Sequence, residues 1–229
     1  MFIQRHAVLL LLVMVFLMPL APVRADETPV KLSAVLSAME MHAENMVNAA
    51  LAHDIIALQK TDKNIQQDLT TLQNELEGKP FNERLSRELL MAYSWTRIIS
   101  VDIRQHAWVG VAIASNQLSA SMFQFTNYSS LRQRDIAWMG YLSRELLLLN
   151  MESPKLNAEL LNIRRADLNS TWQRVSKELI KDFHNKPYVI KGNDFIGELK
   201  KINKPTQVIS LAKKLLVFVD EIKSVQSLM

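Results

Sequence analysis

Apolar residues recur at alternating intervals of three and four from Leu32 onward: Leu32, Val35, Met39, Met46, Ala49 and Ile56, with His42 and His53 falling on the same stripe. That interval is the signature of an amphipathic helix. Ile65, Leu69, Leu72 and Leu76 resume it after the polar stretch Lys60–Asn64. The pattern predicts one long helix opened by Pro29, reaching Glu77 with a kink near Thr61. Gly78-Lys79-Pro80 follows in the order that ends a helix.

The next segment runs from Phe81 to about Phe123 and is apolar on nearly all sides around Ile98–Ala114, as in a helix surrounded by others. A turn near Thr126–Ser130 leads into a helix over Leu131–Asn150. Ser153 and Pro154 suit the cap and first position of another helix, Lys155–Phe183. Asn185–Asp194 holds Pro187 and Gly192 around the short run Tyr188-Val189-Ile190, and reads as a long loop with a few extended residues. A final helix starts at Pro205 and ends near Val225.

Composition narrows the class. Five glycines in 229 residues is a small supply for tight hairpin turns, and there is no cysteine, which removes disulfides, thiolate metal sites and a lipoprotein anchor. The expected fold is all-α: an elongated antiparallel bundle of five to seven helices, with similar halves at 26–126 and 127–229. A loose match of Asp68-Leu69-Leu72-Leu76 and Trp95 to Leu156-Leu160-Leu161 and Trp172 is the ground for the halves, and the competing reading is that helical periodicity alone generates such a match.

Residues 1–25 have a basic start, a 14-residue apolar run (Ala7–Leu20) and small residues at Val23 and Ala25. The run is shorter than the ~20 residues that span a bilayer, so the expectation is a cleaved secretory signal peptide and a periplasmic or secreted protein. Arg5 and Arg24 leave with it, halving the net charge of +4. The remainder lacks the basic footprint of a nucleic-acid partner.

Three constellations could carry chemistry. Met39, His42 and Met46 share a helix face; thioether and imidazole suit copper, and a Met/His pair suits haem, while the competing reading is ordinary core packing. Asp102 and His106 lie one turn apart, as in the back half of a hydrolase triad, yet no Gly-x-Ser-x-Gly elbow accompanies them, and a paired core couple accounts for them as well. Arg134 falls on the stripe of Leu131, Trp138, Leu142 and Leu149, whereas Arg132 points about 160° away. A guanidinium in an apolar stripe needs an anion, because it keeps its charge. Glu145 lies ~16 Å along the axis, too far to serve. The partner must come from another helix, a second chain or a ligand.

The segment Arg132-Gln133-Arg134, the apolar continuation Leu146–Leu149 and the later Trp172-Gln173-Arg174-Val175 resemble the N-terminal domain of type IV pili methyl-accepting chemotaxis transducers (PilJ type), over roughly residues 130–180. Asp135 and Met139 depart from its pattern. The resemblance implies a periplasmic helical sensor in which Arg134 contacts a small anion where two subunits of a homodimer meet. The favoured function is therefore an exported, non-enzymatic, sensor-like module binding a small anion or acidic protein partner through Arg134, with Trp138 and Arg132 beside it. The alternatives are a copper- or haem-binding bundle using His42, Met46 and Met39, and a structural or chaperone-like envelope protein.

Overall fold

A computed structural model of the chain describes residues 30–77, 83–126, 128–181 and 185–226. Within them are eight α-helices and no strand: α1 Val30–Leu51, α2 Ile55–Leu76, α3 Glu83–Arg104, α4 Trp108–Phe123, α5 Leu131–Glu152, α6 Ala158–Leu179, α7 Lys186–Lys201 and α8 Pro205–Gln226. The fold is all-α, with more helices than the five to seven expected. None of the described helices is long and apolar enough to cross a membrane. The leader-like segment 1–25, Pro29 and the Gly78-Lys79-Pro80 break lie outside the described residues.

Two of the extra helices come from breaks that the apolar spacing conceals. The helix expected to run through Thr61 ends instead at Leu51, and Thr61 is buried inside α2. His53 has φ 56°; its amide donates to Ala50 O (3.1 Å) and that of Asp54 to Ala49 O (3.0 Å), closing the helix with a left-handed residue. Asp54 then caps α2 through Oδ1, which accepts from Ala57 N at 3.0 Å. The Phe81–Phe123 segment breaks the same way at His106 (φ 57°), where Ala107 N donates to Asp102 O at 2.9 Å. Glycine usually fills such positions, and histidine at both explains why no stop signal was visible. Ile98–Ala114 is accordingly not a surrounded helix: it spans this break, and Ile98 is 41% exposed.

The other revisions fall in the C-terminal half. Ser153 closes α5 rather than opening α6, whose cap position is Asn157. The segment expected as a loop with extended residues, Asn185–Asp194, is mostly α7, with Pro187 in its first turn. Its buried residues Val189, Gly192, Ile196 and Leu199 keep helical spacing. Gly192 is required because α7 presses its backbone onto Trp172: a Cβ there would sit 2.2 Å from the indole Cη2.

The helices form two sets of four with the same pairing order. In the first, α1 packs on α2 and α4, and α3 on α2 and α4; in the second, α5 packs on α6 and α8, and α7 on α6 and α8. Short connectors leave consecutive packed helices only the antiparallel arrangement, and cross-helix bonds such as His42–Asp68 and Trp172–Asn193 fit it. Each set has its own core, around Leu36, Met39, Met46 and Leu118 in one and Leu142, Leu146, Trp172 and Phe218 in the other. Helix α5 is the shared wall. It is buried from Met139 to Asn150, packs on α4 as well as on its own set, and sends Leu148 into the first core.

Candidate functional site between the two helix sets

The start of α5 is fixed by reciprocal bonds: Ser130 Oγ accepts from Gln133 N (3.1 Å), and Gln133 Oε1 accepts from Ser129 N (2.8 Å). This holds Arg132 and Gln133 facing α1 across a cleft of about 380 Å³, with Glu40, Glu44, Tyr128 and Lys223 also on its walls. Glu40 and Glu44 are one turn apart and share a face of α1.

Both carboxylates are already engaged. Tyr128 Oη donates to Glu40 Oε1 at 2.9 Å, and Thr126 Oγ1 to Oε2 at 2.9 Å. Burial raises the Glu40 pKa above the ordinary carboxylate range, more than the Tyr128 and Thr126 bonds lower it. Burial and the Glu40 charge push the Tyr128 phenol upward, so it stays a donor. Glu44 Oε1 lies 2.9 Å from Arg144 Nη2, and its Oε2 is 3.8 Å from Lys223 Nζ. Arg132 makes no ion pair among the described residues, and Lys223 only that long one. Arg132 is thus the uncommitted charge of the cleft, and Lys223 is held only loosely by Glu44.

Behind the cleft, buried ionic groups staple the two sets together. Arg144, 6% exposed, donates through Nε to Asn116 Oδ1 at 2.9 Å and so links α5 to both α1 and α4. Next to it, Glu145 Oε2 lies 2.8 Å from Arg164 Nε on α6, and Glu145 Oε1 accepts from Gln117 Nε2 on α4 at 3.3 Å. Burial works to lower the Arg164 pKa, but the Glu145 charge and the nearby Asp167 carry it above its ordinary value.

The sequence-predicted residues are partly brought together here. Arg132 lines the cleft. Arg134 does not: half-buried, it sits with its guanidinium 5.6 Å from the Phe123 ring centroid, a cation–π contact in place of the anion expected. Trp138 stands behind, 4.9 Å from Phe123 and stacked on Tyr141 at 4.5 Å. Asp135, a departure from the transducer pattern, holds Arg174 with two 2.8 Å bonds.

The residues of the other constellations are engaged elsewhere. Met39 and Met46 are fully buried in the first core, and His42 Nδ1 is bonded to Asp68 Oδ2 at 2.6 Å. An ion at these three residues would have to open the core and compete with Asp68. Among the described residues, no group of three His, Cys, Asp or Glu could hold a metal ion. Asp102 and His106 are not a core pair: Asp102 is half-buried against Gly110, and the exposed His106 turns to Trp108, 5.0 Å away, with His53 on the same indole at 5.5 Å.

Glu40, Glu44, Arg144, Arg164 and Lys223 were missed by reading the sequence. One signal was present, the adjacent charges Arg144-Glu145 inside the apolar run Tyr141–Leu149. No family model, curated protein or solved structure matches the chain.

Proposed function

We propose that the protein is an exported, non-catalytic, sensor-like binding module, and that the cleft between its helix sets receives an acidic group from a small anion or a protein partner. One observation carries this reading: Arg132 and Lys223 face a cleft whose own carboxylates are already bonded. A guanidinium and an ammonium lining the same cleft offer a carboxylate charge-assisted bonds. Arg132 takes the role that the transducer-like pattern would give Arg134, which braces Phe123 instead. The leader-like residues 1–25 support export, and the shared pairing order of the two sets supports an origin by duplication. In that alignment α6 answers α2, so Trp172 has no counterpart in Trp95 of α3.

The test is thermal stabilisation by succinate, acetate and nitrate at constant ionic strength. At a hundredfold excess over Kd, a ligand adds about 2.7 kcal/mol, a rise of several degrees. The expected result is a rise lost in Arg132→Ala and kept in Arg134→Ala. A rise lost only in Arg134→Ala would move the site to that residue, and no rise with any anion would overturn the reading.

A further inference from the structure

A second groove lies on the far side of the C-terminal set, between α6 and α7, and holds about 310 Å³. Helix α6 contributes Asn162, Arg165 and Asn169, whose spacing of three and four puts them on one face; the end of α7 and the connector after it contribute Lys200 and Asn203. The floor includes Ile196, and no carboxylate lines it.

Arg165 is the anomaly. The buried Arg144 and Arg164 and the more exposed Arg174 of this set each have a carboxylate. Arg165 has carbonyls alone: Nη1 donates to Leu199 O (3.1 Å) and Ile202 O (2.8 Å), closing the C-terminal end of α7. Its Nε is buried with no hydrogen-bond partner. Burial lowers its pKa, with no acidic neighbour raising it. The side chain is therefore locked in place by the helix end it caps, whose carbonyls compensate its charge only in part, and no carboxylate among the described residues completes the compensation. Lys200 adds a second positive charge. Three carboxamides, each able to donate and accept, match hydroxyl groups, whereas a groove meant only for an anion needs donors alone.

We propose that this groove is a separate binding site for a small ligand bearing an oxyanion beside hydroxyl groups, a sugar acid or a sugar phosphate. The guanidinium and Lys200 take the oxyanion and the asparagines take the hydroxyls. The volume sits at the lower end of ligand pockets, roughly 300 Å³, which suits one sugar unit.

Calorimetric titration of the full chain with glucuronate, glucose 6-phosphate, inorganic phosphate and glucose tests this. Glucuronate or glucose 6-phosphate should bind saturably, the stronger of the two showing whether the oxyanion is carboxylate or phosphate. Glucose should not bind, and phosphate should bind about tenfold more weakly than the sugar anion. Lys200→Glu, at an exposed position in the last turn of α7, should abolish binding while lowering the melting temperature by no more than about a few degrees, the cost of an acid at a helix C-terminus. Asn203→Ala should weaken binding about tenfold, and Arg132→Ala should leave it intact. Failure of both sugar anions to bind, or binding indifferent to Lys200→Glu, overturns the site. Phosphate as tight as glucose 6-phosphate overturns the role given to the asparagines.

Discussion

Glycine-to-alanine substitution inside a helix ordinarily stabilises, because alanine has the higher helix propensity by about 1 kcal/mol and a less flexible unfolded state. Helix α7 offers two glycines at which the structure predicts opposite signs. At Gly197 an added Cβ meets nothing within 4 Å, so Gly197→Ala should stabilise by about 0.5–1 kcal/mol. At Gly192 the Cβ would lie 2.2 Å from both Cη2 and Cζ2 of Trp172 and 2.7 Å from Cε2. The ring cannot swing aside: Trp172 is 2% exposed, its Nε1 donates to Asn193 Oδ1 at 2.8 Å, and Phe218 stands edge-on at 5.7 Å. Helix α7 must therefore retreat by at least about 1.2 Å to bring 2.2 Å to the 3.4 Å of ordinary contact, and overpacking of this kind costs about 1–3 kcal/mol, against the propensity gain. Urea denaturation of the two variants beside the wild type reads both signs. At about 2–4 °C per kcal/mol for a chain of this size, Gly197→Ala should melt a few degrees higher and Gly192→Ala several degrees lower. A Gly192→Ala protein as stable as the wild type would refute the seating of α7 on Trp172.

Three further outcomes follow from the ionic groups. Arg164→Met leaves Glu145, 3% exposed, without its cation and should cost about 3–5 kcal/mol, whereas adding Glu145→Leu should recover most of it in the same denaturation assay. By contrast, Asp135→Asn should cost no more than about 1 kcal/mol, since Arg174 is 55% exposed and its pair is screened by water. Glu40 binds its proton more tightly folded than unfolded, so the folded state holds more protons between the ordinary carboxylate value and its raised pKa, and stability falls as pH rises through that window. Glu40→Gln should remove that fall, gaining stability relative to the wild type at pH 7 but not at pH 4; an equal difference at both would contradict the shift.

Helical class was legible because class follows from periodicity, and the apolar stripe of α1 is read directly from Leu32, Met39 and Met46. The breaks were not, because a left-handed residue is usually announced by glycine and here is histidine: His53 stacks on Trp108 of a helix distant in sequence, and His106 meets the same indole two residues on. Helix α7 was hidden by the opposite error. Pro187 and Gly192 read as loop residues, but one occupies a first turn and the other makes room for Trp172. The expectation of a buried guanidinium in α5 fits in kind and fails in position. Arg134 and Arg144 share one helix, and only the approach of Glu44 and Asn116 from other helices decides that the latter goes inside. A helical wheel carries no information about which side chains the neighbouring helices bring. For the same reason Arg132, assigned to the outer face, faces α1 across the cleft.

Backbone amide chemical shifts followed through a succinate titration address the cleft most directly. The account predicts saturable changes concentrated at residues 129–137 and around Lys223, absent in Arg132→Ala while that variant keeps the wild-type spectrum elsewhere. Saturable changes that persist undiminished in Arg132→Ala, or no changes in the wild type at all, would contradict it.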